Sequence, residues 1–185
     1  GNGQLNKNVK VKLLDYKNIH VDLLQGSKYA NEFANGTLTH AFLNVNDYHR
    51  YHYPLTGEVI EHHTVTRGVT LSVTWSEQEK KFIPNDSLGW QYKQTHAYAI
   101  LKTEKYGLVA LIPMGMAQVS SCNLTWPILG HHNKGEGLGN FLFGGSDFMM
   151  LFQSKVKFTM MAPKNDDGTY KHILMGEKYG KLSII

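Results

Sequence analysis

The organisation of this chain is decided around residues 134–152, which read KGEGLGNFLFGGSDFMMLF. A glycine-rich turn leads into an aromatic segment that we predict to be a strand. Two glycines, Gly144 and Gly145, end that strand, and a single serine, Ser146, precedes a second apolar strand. A double glycine and a serine between two buried strands are poor choices for building a sheet. The arrangement therefore marks Ser146 as a candidate reactive residue.

The rest of the chain predicts a mainly β fold. Short apolar runs recur between turn signals such as Asn35-Gly36, roughly one every ten residues. Short helices are expected only near the N-terminus, between Asn18 and Phe33. We therefore predict one β-rich α+β domain over residues 1–185, with its strands in a sandwich or barrel-sandwich-like arrangement.

The individual strands are predicted from apolar periodicity. Two runs joined by Glu104-Lys105-Tyr106-Gly107 predict a hairpin of residues 97–103 and 108–114. Residues 76–95 are polar and are predicted to form a loop, and the chain beyond Gly168 a short tail. The other predicted strands that bear on the site are 37–45, 58–65, 118–126 and 156–161.

Composition narrows the class of protein. The formal net charge is +4, and the lysines are scattered, so we expect no nucleic-acid partner. The mild positive charge would allow contact with an anionic membrane surface. No apolar run is long enough to span a membrane. The single cysteine, Cys122, excludes an internal disulfide and fits a reducing compartment. We expect a cytoplasmic protein, either free or peripheral to a membrane, with a homodimer left open.

The Gly145-Ser146 bond admits two interpretations. The ordinary one is a turn capped by a serine. The alternative is an internal acyl shift, in which Ser146 Oγ attacks the Gly145 carbonyl, which glycine leaves unshielded. Elimination of the resulting ester and hydrolysis of the dehydroalanine would then leave a pyruvoyl group. Because a free serine hydroxyl is a weak nucleophile, the shift requires a base.

Two histidines, His49 and His52, are the candidate bases, in the run Asp47-Tyr48-His49-Arg50-Tyr51-His52. On a flat strand they would face opposite sides, whereas on a turn, which Asn46-Asp47 favours, they would share one side. An imidazole takes and returns protons near neutral pH. The alternative is a pair of surface histidines on an aromatic strand. No His-x-His or Cys-x-x-Cys pattern occurs, so no metal site is expected.

Three segments, taken together and in order, resemble the phosphatidylserine decarboxylase family. The family's Asp-Tyr-His-Arg-x-His run before a Pro-x-x-Gly turn occurs within residues 33–57. Residues 107–119 resemble its central strand and glycine turn, and residues 134–146 its processing motif. The similarity covers most of the chain from about residue 19 to 153. Each segment alone is weak evidence for the family, but the occurrence of all three in this order is specific to it.

The resemblance implies a pyruvoyl-dependent decarboxylase, a carboxy-lyase made as a zymogen. Autocatalytic cleavage would fall between Gly145 and Ser146, and the pyruvoyl group derived from Ser146 would be the cofactor. That group forms a Schiff base with the substrate amine and withdraws electrons as CO2 leaves. By position, His52 would be the base for self-processing, and His49 would assist decarboxylation. The supporting residues would be Asp47, Tyr48 and Gly144.

The resemblance leaves the substrate open. Residues 114–122 are closest to a soluble branch that includes L-tryptophan decarboxylases, which favours decarboxylation of a free amino acid, such as an aromatic one. The alternative is conversion of phosphatidylserine to phosphatidylethanolamine in phospholipid biosynthesis. A second alternative is an unprocessed, non-catalytic β-rich binding module.

Two departures from the family pattern bear on self-processing. The family uses an aspartate, usually in an Asp-Gly pair, to orient the processing histidine, whereas this chain begins Gly1-Asn2-Gly3. Three alternatives are open. Asn2 replaces that aspartate, or the aspartate lies in an N-terminal region that we expect to be missing here, or this member of the family lacks it. The residue after the serine is usually a small hydroxyl residue, but here it is Asp147. Its charge would oppose enolate-like charge unless the carboxylate is turned away or protonated.

Overall fold

The computed structural model describes residues 2–5, 19–43, 47–68, 73–84, 94–115, 121–142, 146–168 and 170–185. Helix α1 (Ile19–Leu23) and a 3-10 turn (Ala30–Phe33) lie near the N-terminus. Everything else with regular structure is strand: β1 Asn2–Leu5, β2 Thr37–Leu43, β3 Arg50–His52, β4 Gly57–Val65, β5 Val73–Ser76, β6 Lys81–Pro84, β7 His96–Thr103, β8 Gly107–Gly115, β9 Asn123–Leu124, β10 Gly130–His132, β11 Gly137–Asn140, β12 Ser146–Phe152, β13 Val156–Met160, β14 Ile173–Leu174 and β15 Gly180–Ile184. The predicted mainly β fold is confirmed.

Among the described residues, the main sheet has eight strands in the order β10-β4-β7-β8-β12-β2-β1-β14. Strand β12 lies near its centre and pairs antiparallel with β8 and β2 over its full length, without a register shift. Its sequence, SDFMMLF, is apolar on both faces after the first two residues. That composition suits a strand covered on both sides, so β12 takes a central position.

The alternation of side chains along β12 divides the core into two layers. Met150 and Phe152 face a layer that includes the three-stranded sheet β3-β11-β9. Met149 and Leu151 face the opposite layer, where they meet α1 and the 3-10 turn. By the same alternation, Ser146 belongs to the layer of the small sheet and Asp147 to the layer of the helical segment.

The predicted hairpin is confirmed as β7 and β8, and the strands predicted at 37–45, 58–65 and 156–161 are present as β2, β4 and β13. The loop predicted for 76–95 is wrong in part, since β6 pairs with β5. The tail is also more ordered than predicted, because β15 pairs with β13 from Val156↔Ile184 to Met160↔Gly180. Each of these strands is stabilised by a partner that its own sequence does not specify.

The aromatic strand predicted before Gly144 is also wrong. Strand β11 comprises only Gly137–Asn140, and Phe141 follows outside it. Glycine at position 139 lets β11 approach its neighbours closely, because a β-carbon there would overlap the carbonyl oxygen of Asn123 and the ring of Tyr51. A glycine is needed wherever backbones and a ring approach this closely. None of the helices within the described ranges is long and apolar enough to cross a membrane.

Candidate active site

Ser146 is the first residue of β12 and lies opposite Gly115 of β8 and Leu43 of β2. It is 0% exposed, and its Oγ has no hydrogen-bond partner among the described residues. A buried hydroxyl left without a partner costs on the order of 1–3 kcal/mol, so such groups are rare and often functional. Gly145, the other predicted residue of the cleavage site, and Gly144, a predicted supporting residue, lie outside the described residues.

The histidine run lies alongside the segment that leads to Ser146. Strand β3 pairs with β11, with His52 opposite Gly137. Just beyond the strands, the backbone N–H of Phe141 donates to the carbonyl oxygen of His49 at 2.9 Å. The two segments therefore run together up to Phe141, five residues before Ser146 in the chain.

His49 is held by its own turn and by an aromatic neighbour. Its Nδ1 lies 2.6 Å from the carbonyl oxygen of Asp47, so Nδ1 carries a proton and donates it. In the neutral ring the lone pair is then on Nε2. The ring meets that of Phe141 edge-on, with centroids 6.3 Å apart. Asp47 thus supports His49 through its backbone carbonyl.

His52 has a different environment. Its Nδ1 donates to the carbonyl oxygen of Gly135 at 2.9 Å. Its Nε2 lies 3.0 Å from the hydroxyl of Tyr48, and the two rings are stacked at an interplanar angle of 9°. The neutral ring accepts the Tyr48 O–H at Nε2, which is the protonation pattern that a base requires. That hydrogen bond must open before Nε2 can take another proton.

The two histidine rings therefore have different neighbours, rather than sharing one partner. His52 contacts Gly135 and Tyr48, whereas His49 contacts Phe141. Alternation along β3 directs Tyr51 into the core and the next residue, His52, away from it. His49 is thus the histidine whose ring contacts the chain segment approaching Ser146.

Tyr51 is a site-forming residue that the sequence reasoning missed. Its ring lies 4.9 Å from that of Phe141 and 5.7 Å from that of Phe148, centroid to centroid. Its hydroxyl donates to the carbonyl oxygen of Asn123 at 2.5 Å. Burial raises the pKa of this phenol well above its ordinary value. Its position in the histidine run, two residues from His49, was the available signal.

Asp147 was expected to oppose the chemistry unless its carboxylate is turned away, and it is turned away. It lies opposite Met114 and Phe42, so its side chain is on the face of β12 that Ser146 does not share. Asp147 is 0% exposed, and its Oδ1 lies 2.5 Å from Nε2 of His40 on β2. His40 was not singled out in the sequence, although it is a polar residue on the strand TLTHAFL.

The segment Asn2–Leu5 forms β1. It contains Asn2, which the sequence offered as one substitute for the orienting aspartate. It pairs with β2 on the side away from β12, with Gln4 opposite Phe42. Within the ranges that the structure describes, no three His, Cys, Asp or Glu side chains are grouped so that they could hold a metal ion.

Comparisons with known proteins show the family to which this chain belongs. The family described as Phosphatidylserine decarboxylase matches residues 2–181. The phosphatidylserine decarboxylase proenzyme of Fusobacterium nucleatum is 33% identical over an alignment of 185 positions. The alignment covers 91% of this chain and 59% of that protein. The L-tryptophan decarboxylase of Psilocybe cubensis is 28% identical over 163 residues, 80% of this chain and 36% of that protein.

The decarboxylase iboD of Amanita muscaria is 28% identical over 138 residues, 68% of this chain and 39% of that protein. This chain therefore belongs to the phosphatidylserine decarboxylase family. It spans little more than half the length of the Fusobacterium relative and about a third of the Psilocybe one. The family's relatives include proteins named for a phospholipid and proteins named for a free amino acid.

Proposed function

We propose that this protein is a pyruvoyl-dependent decarboxylase that cuts its own chain between Gly145 and Ser146. The observation that carries the proposal is the Ser146 hydroxyl, fully buried at the start of a central strand and without a partner among the described residues. A desolvated hydroxyl with no competing hydrogen bond is free to attack the adjacent carbonyl once a base removes its proton. Family membership supports the same reaction type.

The proposed cleavage balances with water as its only co-reactant. Ser146 Oγ attacks the Gly145 carbonyl carbon, the peptide C–N bond breaks, and the nitrogen leaves as the amine of residue 146. A base then removes the Ser146 α-proton, and the bond from Cβ to Oγ breaks, which releases the upstream chain with Gly145 as a carboxylate. Hydrolysis of the remaining dehydroalanine releases ammonia and leaves the pyruvoyl group. Residues 1–185 would thus act as one catalytic domain made of two chains.

A pyruvoyl group at position 146 fits this site. The strand ladder with β8 and β2 holds residue 146 in the sheet without help from the upstream chain. The aromatic rings of Tyr51, Phe141 and Phe148 pack in the same layer and give residue 146 an apolar environment. When formed, such a group supplies the electron sink for loss of CO2.

The two histidines would divide the proton transfers. We assign His52 as the base of self-cleavage from its position in the family's motif. Its tautomer allows this role, because Nδ1–H is tied to Gly135 and Nε2 is the accepting nitrogen. We assign His49 to decarboxylation, where it would deliver a proton, because its ring lies against Phe141 in the layer that Ser146 faces. Tyr48 would support His52 by orienting its ring.

Denaturing mass spectrometry tests the proposal. The processed protein gives two pieces, one ending at Gly145 and one beginning at residue 146 with a blocked, pyruvoyl N-terminus. Ser146→Ala should stay whole, and His52→Asn should slow cleavage. His49→Asn should leave cleavage in place and reduce CO2 release. A wild-type chain that stays intact after long incubation would overturn self-cleavage and favour a non-catalytic binding module.

The substrate has two candidates. A free amino acid, such as an aromatic one, is supported by the relatives named as L-tryptophan decarboxylases. Phosphatidylserine is supported by exposed apolar side chains around β9. Trp126, which follows β9, is 76% exposed, and Leu142, whose N–H donates to Ser121 just before β9, is 62% exposed. A lipid substrate would require such a surface, and with it peripheral contact with a membrane.

Release of CO2 from the cleaved enzyme distinguishes these substrates. Tryptophan, other free amino acids and phosphatidylserine in vesicles should be compared at equal concentration, with Ser146→Ala as the blank. Turnover of phosphatidylserine alone, with loss of that turnover in Trp126→Ser, would overturn the amino-acid assignment. Turnover of a free amino acid that Trp126→Ser leaves unchanged would support it.

A further inference from the structure

We propose that His40 is a positioning residue for self-cleavage. In this role it holds the Asp147 carboxylate on the far face of β12 and compensates its charge next to the reacting bond. The proposal rests on the proposed function, since it concerns the cleavage at Ser146. It assigns a role to a residue that is separated from Asp147 by 107 positions in the chain.

The register of β2 and β12 places the two side chains on one face. His40 lies opposite Met149, and Asp147 lies opposite Phe42, so His40 and Asp147 are diagonal neighbours across the strand pair. Their contact is 2.5 Å, and their side chains are 13% and 0% exposed. Leu43, the partner of Ser146, points to the other face. The pair therefore lies directly behind the reacting residue.

A buried carboxylate that shares its face of the sheet with Met114 and Met149 needs a compensating charge or a proton. Removing one partner of a buried pair is far more disruptive than removing both, because the remaining charge is left without compensation. An imidazolium at His40 would make the pair neutral. Asp147 could then occupy a position where the family usually has a small hydroxyl residue.

The location of the pair connects it to the chemistry. The Asp147 nitrogen is bonded to the carbonyl carbon of Ser146, so its side chain is only a few bonds from the α-carbon that loses its proton. An uncompensated negative charge there opposes the developing negative charge at that carbon and at its carbonyl oxygen. After cleavage, Asp147 is also the first residue of the new chain with a side-chain anchor. His40 thus compensates a charge that would otherwise oppose the reaction at residue 146.

A double-mutant cycle that removes each charge of the pair tests the proposal. Wild type, His40→Leu, Asp147→Asn and the double variant are synthesised in a cell-free system, and cleavage is followed in time by denaturing mass spectrometry. We expect His40→Leu to slow cleavage at least tenfold, which is within the coupling measured for contacting buried pairs. Asp147→Asn and the double variant should each cleave within about threefold of the wild-type rate.

A second substitution separates charge from folding. His40→Gln keeps a donor near the position of Nε2 but cannot carry the charge, so it should cleave more slowly than wild type and be rescued by Asp147→Asn. Thermal unfolding of each variant, measured on a Ser146→Ala background, shows whether the variant folds. Cleavage of both the His40→Leu and the His40→Gln variant at the wild-type rate would overturn the role of His40 and leave the proposed self-cleavage standing. An intact wild-type chain would overturn the proposed function, and this proposal with it.

Discussion

The ring of Tyr51 stacks on the ring of Phe148, with centroids 5.7 Å apart and an interplanar angle of 29°. The same tyrosine ring contacts Phe141 at 4.9 Å. Phe141 precedes the Gly145–Ser146 bond and Phe148 follows it, so one side chain of the histidine run touches the chain on both sides of the cleavage site. This contact couples the small sheet to the central strand of the large one.

Substitution of Tyr51 should separate the ring from the hydroxyl. Tyr51→Phe keeps both ring contacts and loses the hydrogen bond to Asn123, so we expect about 1 kcal/mol less stability and unimpaired cleavage. Tyr51→Ala removes the ring that contacts both Phe141 and Phe148. We expect it to lower the free energy of unfolding by about 3–5 kcal/mol and to slow cleavage. Urea denaturation on a Ser146→Ala background measures the first effect, and mass spectrometry the second. Loss of cleavage in Tyr51→Phe would instead assign the hydroxyl a chemical role.

Two glycines of β11 form a matched pair for testing the close approach of the strands. At Gly139 a β-carbon would overlap Asn123 and Tyr51, whereas at Gly137 nothing lies within 4 Å. We expect Gly139→Ala to destabilise the protein by about 1–3 kcal/mol or more, because a crowded core must shift. Gly137→Ala should be neutral or stabilise by about 0.5 kcal/mol, because alanine loses less backbone freedom on folding. Equal unfolding free energies for the two variants would contradict the register of β11.

Acid should destabilise the fold through His96. Burial lowers the pKa of His96 below its ordinary value. Its two ring nitrogens lie within hydrogen-bond distance of the carbonyl oxygens of Gln94 and Leu23, which favours the charged ring and only partly opposes this effect. Burial also lowers the pKa of His20. The folded protein therefore binds fewer protons than the unfolded chain as the pH falls below about 6.5, so the free energy of unfolding decreases.

Urea denaturation of Ser146→Ala between pH 8 and pH 5 measures this dependence. His96→Gln should flatten the curve below about pH 6.5, since it removes the titrating group. His172→Gln, a change at an exposed position, is the matched control and should leave the curve unchanged. A free energy of unfolding that rises as the pH falls would contradict the lowered pKa of His96.

The thiol of Cys122 should be unreactive in the folded protein. It is buried in the layer of Tyr51 and Phe141, and burial raises its pKa to about 11. At pH 8 the thiolate fraction is then about a hundredfold below that of an ordinary cysteine, in addition to steric protection. Alkylation followed by mass spectrometry should show slow modification in buffer and fast modification in urea. Cys122→Ala provides the blank, and equally fast modification in both solutions would contradict the burial.

The sequence predicted the parts of this protein that local pattern controls. The β7–β8 hairpin followed from two apolar runs and one turn, and the central strand β12 from its apolar composition. The ordered motifs around His49, His52 and Ser146 predicted the family, which the comparisons confirm. These features depend on short stretches, in which periodicity and turn residues carry the information.

The tertiary structure decided which segments meet. Strand β15 exists because of its partner β13 elsewhere in the chain, and β11 ends at Asn140, before the Phe141 ring that packs against Tyr51. His40 and Asp147 meet across 107 positions of sequence. Alternation along a strand tells which face a side chain takes, but not which strand becomes its neighbour. That choice is made by the register of the whole sheet, so the surroundings of Ser146 could be read only from the fold.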